Sequence, residues 1–406
     1  NARWSAITAA KQAPDAKFLL FTGDFVETGT EQNSEWEWEQ WFEVSMKPLL
    51  SRMALAPTDG NHDDTPNLNY TYHFNTDKAF NETATVKPQF DGITYSFVYG
   101  DALFMVYSHQ DFWRGSYSYA NGTSTYLSND VANWFRDQVE KYPDTKWRIA
   151  AVHKNLFTGS GHQTDEDGAL FRATLLPVFQ ELNIDFVIQG HDHIYEVMGP
   201  INNTTKTIVP GSVTNVELVS PDSNKNPKGQ QGGTFNVKDG TLYFVNGTCG
   251  RKRYYPYTQD EMEAGFDKHK VEGYWDLFTG KYGQPGAPAF SEISVSSSEI
   301  EVKTYTSDAN AQATLFDTFK IVKNGNTGIE ENKQSAKLYP TYAKDKINTT
   351  ESDIIRVNAI DLTGKIYPLP FDNQHIDVSN LTDGIYVVQI FTNEKTRSER
   401  IVKTSR

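Results

Sequence analysis

Four short segments of this sequence concentrate side chains able to hold metal ions and move protons. They are Gly23-Asp24, Gly60-Asn61-His62-Asp63, His153 and Gly190-His191-Asp192-His193. Imidazole, carboxamide and carboxylate together make a mixed nitrogen and oxygen donor set, which suits zinc, iron or manganese. A carboxylate such as Asp24 has two oxygens and is able to bridge two ions. Two ions roughly 3.5–4 Å apart generate a bound hydroxide and neutralise a phosphoryl group in transfer. Singly the segments are weak signals. A Gly-Asp pair is commonly a turn or a helix cap, and for His153, behind Ile149-Ala150-Ala151-Val152, the alternative is a histidine ending a core strand and satisfied by backbone. Gly-Asn-His-Asp and Gly-His-Asp-His in one chain are specific together.

Each segment follows an apolar stretch, and that placement is what allows them to meet. The hydrophobic pattern predicts a helix over Arg3–Ala13, ended by Pro14-Asp15, then strands over Lys17–Phe21 and Arg52–Ala56. Between these strands, Ser34-x-x-Glu37 reads as a capping box before a helix carrying Trp38, Trp41, Phe42 and Leu49. The helical spacing of Trp36, Trp38 and Trp41 favours packing over substrate stacking. Ile93–Tyr99 and Ala102–Ser108 flank Gly100-Asp101 as a hairpin. Helices over Asn129–Lys141 and Phe171–Leu182 alternate with strands over Trp147–Val152 and Ile184–Ile188. Such alternation predicts an α/β sandwich, whose ligand loops gather beyond the carboxyl ends of the strands.

From Thr241 the pattern turns to strands: Thr241–Asn246, Phe290–Val295, Ile300–Tyr305 and Phe319–Val322. A polar stretch poor in core residues separates two parts. The expected division is a domain over 1–323, a linker over 324–336 and a small all-β domain over 337–406.

Composition narrows the chemistry further. The 406 residues carry 38 basic against 52 acidic side chains, a net charge of −14. That balance argues against nucleic acid as a partner, since a phosphate backbone is held by clustered Lys and Arg. No stretch approaches the ~18 apolar residues of a membrane-spanning helix. With 38% hydrophobic and 13% aromatic residues the chain is too rich in core-formers for disorder. Its one cysteine, Cys249, excludes an internal disulfide and a cysteine zinc site, and reads as a small buried residue. An anionic ligand would therefore draw its positive charge from bound metals.

In order and context the four segments resemble the calcineurin-like metallophosphoesterases, in particular bacterial relatives of the purple acid phosphatases, over roughly Trp4 to Val322. The resemblance implies a metallophosphoesterase-type α/β sandwich, two mixed sheets flanked by helices, with two metal ions of iron, zinc or manganese. By it Asp24 bridges the ions, Asn61, His153 and His191 complete one, and His193 helps bind the other. His62 would contact the phosphate or protonate the leaving oxygen, with Asp63 orienting it. His162 would make a second phosphate contact, and Tyr195 would line the substrate pocket. The implied reaction is hydrolysis of a small phosphate monoester by attack of a metal-bound hydroxide. The alternatives are a phosphodiesterase or nucleotide pyrophosphatase on the same metals, or a degenerate, non-catalytic surface binding protein. The family's first motif, Asp-x-His, is expected upstream of Asn1; without it the His193 position is expected to bind metal poorly. Glu27 stands where purple acid phosphatases carry their iron-binding tyrosine, so no purple colour is expected.

The C-terminal part has its own likeness. Leu338-Tyr339-Pro340, Val357-x-x-Ile360-Asp361-Leu362-Thr363-Gly364-Lys365, Ile376-Asp377-Val378-Ser379-Asn380-Leu381 and Gly384-Ile385-Tyr386-Val387-Val388 resemble the type IX secretion C-terminal sorting domain. This implies a small all-β sandwich, recognition by type IX secretion machinery, and a secreted or cell-surface protein with a signal peptide upstream.

Overall fold

Four apolar segments, Ala102–Val106, Trp147–Val152, Phe186–Gln189 and Thr241–Asn246, lie side by side and parallel at the centre of an eight-stranded sheet. In this computed structural model the described residues are 2–29, 31, 33–63, 69–76, 93–109, 117–118, 123–124, 129–216, 231–262, 264, 277–323, 342–349, 353–372, 374–392 and 396–405. The four central strands are buried along nearly their whole length. Covered on both faces, they read as continuous apolar runs rather than alternating ones. Antiparallel strands complete the sheet. Tyr95–Tyr99 folds back on Ala102–Val106 through Gly100, whose φ of +57° glycine adopts without strain. Tyr195–Asn202 pairs with Thr241–Asn246 and also with Thr207–Ile208 and Phe278–Gly283.

Helices Asp130–Lys141 and Glu166–Glu181 cover one face of this sheet, burying Leu103, Met105, Phe135, Phe171 and Val187 together. The other face packs on a five-stranded sheet, ordered Val213–Thr214, Thr234–Asn236, Ala313–Val322, Glu299–Ser307, Ala289–Val295. There Ile149, Phe186 and Phe244 meet Ile300, Val302 and Phe319. This is the expected α/β sandwich of mixed sheets flanked by helices. Phe18–Phe21 and Ala54–Pro57 form a parallel pair of their own. Helix Ala2–Gln12 and the segment Glu35–Glu39, Gln40–Met46 (π-helical) and Lys47–Leu50 share a core with them around Phe25, Trp38 and Trp41. Those two tryptophans pack as their spacing predicts, while Trp36 is 55% exposed.

Two local expectations change. Ser34 does precede the helix, but its side chain makes no capping bond. Instead Ser34 Oγ accepts from Asn69, and the Glu37 carboxylate accepts the Glu27 and Thr28 N–H groups at 2.8 and 2.9 Å. The motif braces the loop behind Asp24 rather than its own helix. The second helix starts at Glu166, five residues before Phe171. Glu166 and Asp167 favour its positive N-terminus, a polar turn that an apolar pattern does not register.

The chain forms two compact units, Asn1–Gly325 and Asn326–Arg406. In the second, Tyr342–Ala343, Thr396–Lys403, Gly384–Thr392, Ile354–Asp361 and Ile366–Pro368 make one sheet, and Lys346–Asn348 pairs with His375–Asp377. Its core holds Ile347, Val357, Ile376, Val388 and Ile401. In the turn of the Asp361-Leu362-Thr363-Gly364-Lys365 motif, Asp361 Oδ1 accepts the Thr363 and Lys365 N–H groups at 2.8 and 3.0 Å, and Gly364 takes a φ of +87°.

Candidate metal centre

The segments quoted from the sequence leave the carboxyl ends of parallel strands, and tight backbone contacts bring them together. After Phe18–Phe21 the chain turns at Gly23 and Asp24, with φ of +91° and +55°. Gly60 lies against that turn; a Cβ there would sit 2.1 Å from Asp24 N and 2.3 Å from Asp24 Oδ1. Likewise a Cβ on Gly190 would sit 2.6 Å from the Thr22 carbonyl and 3.1 Å from His153 Nδ1. The glycines of Gly-Asn-His-Asp and Gly-His-Asp-His are thus demanded by loops in van der Waals contact. His191 follows at a φ of +63°, a region that Asp and His enter more readily than most residues.

His153 is the hub. Its Nδ1 lies 2.6 Å from the Thr22 carbonyl, so this nitrogen carries the donated proton. The other nitrogen, Nε2, faces Asn61 Oδ1 at 3.0 Å, Asp24 Oδ2 at 3.3 Å and His191 Nδ1 at 3.2 Å. One imidazole nitrogen cannot donate to all three. A cation among four lone pairs reconciles them, and donors 2.0–2.1 Å from a shared tetrahedral ion lie about 3.3–3.4 Å apart. The donors therefore fit a metal ion. The far nitrogen of His191, Nε2, is buried with no hydrogen-bond partner among the described residues.

The electrostatics favour the ligand protonation states of Asp24 and His191. Burial pushes the Asp24 carboxyl up, but His153 and His62 more than offset it, leaving the carboxylate below its usual range. Burial, reinforced by His153 and His162, holds the His191 imidazole well below its ordinary value, in the neutral form that binds metals. His153 is the exception: burial lowers it, but the Asp24 carboxylate and the Thr22 carbonyl raise it overall, so a cation bound at Nε2 would take the place of a proton there.

The remaining sequence-derived residues divide. His62 donates its N–H to Asp24 Oδ1 at 3.1 Å, and its Nδ1 lies 2.8 Å from the Glu27 carbonyl. Asp24, His62 and His193 line one cavity of about 250 Å³. His193 stands apart from the His153 cluster, with Nδ1 3.0 Å from the Lys252 carbonyl. His162 sits against His191, ring centroids 3.9 Å apart, with Asp165 close enough to form a second metal-type grouping.

Asp63 does not orient His62. Its carboxylate is fully buried and accepts the N–H groups of Phe25, Val26 and Gly60 at 2.6, 3.2 and 2.7 Å. It ties the Asp24 loop to the Asn61 loop, and the Glu27 carbonyl holds His62 instead. Tyr195 does not line the cleft either. As the first residue of strand Tyr195–Asn202 it points between the two sheets, where its hydroxyl donates to Asp317 at 2.7 Å beside Lys281. Tyr254 does reach the site, its ring stacked on His193 with centroids 4.7 Å apart.

Three further residues stand at the site without having been assigned a role. Asp192 is fully buried, 2.6 Å from His162 Nδ1, and accepts the Thr158 hydroxyl through its other oxygen. His109 is fully buried, its ring 5.7 Å from that of His153. Lys154 pairs with Asp167 beside them. His109 follows strand Ala102–Val106 much as His153 follows Trp147–Val152, and this placement after an apolar run was the available signal.

Residues 2–195 match the calcineurin-like phosphoesterase family, and residues 337–404 match the secretion system C-terminal sorting domain. The chain thus carries a calcineurin-like phosphoesterase domain followed by a secretion sorting domain. An uncharacterized protein of Mycobacterium tuberculosis is 26% identical over 217 residues, half of this chain and 40% of its own length. Purple acid phosphatase 5 of Arabidopsis thaliana is 26% identical over 176 residues, 43% of this chain and 34% of its own length. The matched region therefore spans two-fifths or less of these relatives. Among solved structures, the yellow lupin seed purple acid phosphatase aligns with 80% of this chain and 49% of its own at 15% identity and a TM-score of 0.47. GAP50, the anchor in the inner membrane complex of Plasmodium, aligns with 81% of this chain and 86% of its own at 13% identity and a TM-score of 0.45.

Proposed function

We propose that this chain is a secreted phosphoesterase that hydrolyses phosphate monoesters at a two-metal centre. The observation that carries the reading is the convergence of Asn61 Oδ1, Asp24 Oδ2 and His191 Nδ1 on His153 Nε2. Asp24, Asn61, His153 and His191 would hold one ion, and Asp24 with His193 would contribute to the other. When bound, the ions draw charge from the phosphate oxygens and make a water acidic enough to attack phosphorus near neutral pH.

The chain's own groups supply the rest. His62, its Nδ1 held by the Glu27 carbonyl, presents Nε2 to the leaving oxygen as proton donor. His162, its Nδ1 held by Asp192, turns Nε2 toward a phosphate oxygen. Asp63 keeps the two ligand loops in register. The sorting domain supports export through a type IX secretion system, handled at the C-terminal unit and separate from the chemistry.

The test compares protein loaded with zinc, manganese or iron on glycerol phosphate and on bis(nitrophenyl) phosphate. A monoesterase gives higher kcat/KM on the first. Preference for the second indicates a phosphodiesterase, and metal binding with no turnover of either indicates a binding protein.

A further inference from the structure

Between the two large sheets lies a polar triad that the chemistry at the metals does not use. Lys281 comes from strand Phe278–Gly283 and Tyr195 opens strand Tyr195–Asn202, both in the eight-stranded sheet, while Asp317 belongs to Ala313–Val322 of the five-stranded sheet. Lys281 Nζ donates to both oxygens of Asp317, at 2.6 and 2.8 Å, and the Tyr195 hydroxyl donates to Oδ2 at 2.7 Å. All three residues are fully buried. The rings of Phe316 and Phe244 meet that of Tyr195 edge-on, centroids 5.1 and 5.6 Å away, and the Phe319 ring lies 5.8 Å from Lys281 Nζ. A β-bulge aims the carboxyl at this spot. Thr304 faces Asp317 but Tyr305 faces Leu315, so the register skips Phe316. The extra residue reverses the alternation, leaving Leu315 38% exposed and turning Asp317 inward with Phe319 and Ile321.

Sealed among aromatic rings, a lysine and an aspartate keep their charges at a cost in lost hydration. Burial pushes the Asp317 carboxyl up and the Lys281 ammonium down, each toward its neutral form. A neutral amine is a nucleophile, and this one is held against a carboxyl group with both oxygens in hydrogen-bond reach. We infer that Lys281 and Asp317 condense into an isopeptide bond that ties the two sheets together. Nζ adds to Asp317 Cγ, the bond from Cγ to Oδ1 breaks, and Oδ1 leaves as water with the proton of the carboxyl and one from the amine. Oδ2 stays as the amide carbonyl. Tyr195 keeps its proton and donates it to Oδ2 throughout, stabilising the negative charge that gathers there while Cγ is tetrahedral. One amide and one water are formed, and no electrons are transferred. With a single cysteine the chain has no internal disulfide. The amide closes the loop between residues 281 and 317 in the way a disulfide would, by constraining the unfolded chain.

The test is mass spectrometry of the full chain, denatured and digested with trypsin, and the parent protein alone decides it. Trypsin does not cut after an amidated lysine, so the cross-linked chain yields residues 271–303 uncut at Lys281 and joined to residues 304–320. This branched peptide is lighter than its two parts by one water. It is expected in the parent and absent from Lys281→Met and Asp317→Ala. In Tyr195→Phe, sampled over time after synthesis, it should form ~10²-fold more slowly, the usual loss on removing one oxyanion donor. Complete cleavage after Lys281 in the parent, with residues 304–320 released as a free peptide, overturns the inference. A cross-link that forms as fast in Tyr195→Phe as in the parent overturns the part assigned to Tyr195.

Discussion

Replacing Asp63 by alanine probes the device that holds the two ligand loops together. Its carboxylate accepts three backbone N–H groups, from Phe25, Val26 and Gly60, at 2.6–3.2 Å, in a fully buried position. Stranding a buried donor costs about 1–3 kcal/mol, so three set a ceiling of roughly 3–9 kcal/mol. Water entering the space of the lost carboxylate recovers part, and the expected net loss is about 3–5 kcal/mol. For a unit of this size, Asn1–Gly325, that lowers Tm by roughly 4–7 °C. Asp63→Asn keeps one acceptor oxygen but turns an NH₂ toward the backbone donors, and should lose about half as much. Thermal denaturation of parent and variants reads these shifts, and a metal titration reads the loosening of Asp24 against Asn61. An alanine variant that melts within about 2 °C of the parent but loses turnover would refute the reasoning. It would return Asp63 to the role of orienting His62.

Further outcomes follow from the same geometry. Gly60→Ala places a methyl against Asp24 N and Oδ1 and should release metal, read as metal content after gel filtration, with the fold kept by circular dichroism. His62→Ala should keep its metal while turnover falls by ~10²–10⁴, more for alkyl than for nitrophenyl phosphates, whose leaving group needs no proton; metal loss would instead make His62 a ligand. The Asp185 carboxyl, buried beside Lys323, is pushed up to about 6 by that burial. Between pH ~4 and ~6 the unfolded chain has given up this proton and the folded chain has not, so stability falls by about 3 kcal/mol as pH rises. Asp185→Asn should flatten that slope in urea denaturation series run across the interval, and an unchanged slope would exclude Asp185 as its source.

The fold was legible where burial is complete. Strands such as Trp147–Val152 and Phe186–Gln189 are covered on both faces, so their apolar runs declare them and the loops behind them declare the ligands. Side-chain direction was not legible. Asp63 and Asp192 each follow a histidine in the motifs, yet Asp63 is turned onto backbone N–H groups and Asp192 onto His162. The turns at Asp24 and His191, both at positive φ, help set those directions, and no spacing rule reports them. Tyr195 lies two residues past His193 and looks like a pocket residue, but strand parity sends it between the sheets. Its place is taken by Tyr254, about sixty residues on, which only the pairing of distant loops could reveal.

Anomalous diffraction from crystals grown with manganese or zinc tests the central claim most directly. The account predicts a peak enclosed by Asp24 Oδ2, Asn61 Oδ1, His153 Nε2 and His191 Nδ1, lost in His153→Ala. Strong peaks elsewhere with none at that point, or a peak that survives the loss of His153, would contradict it.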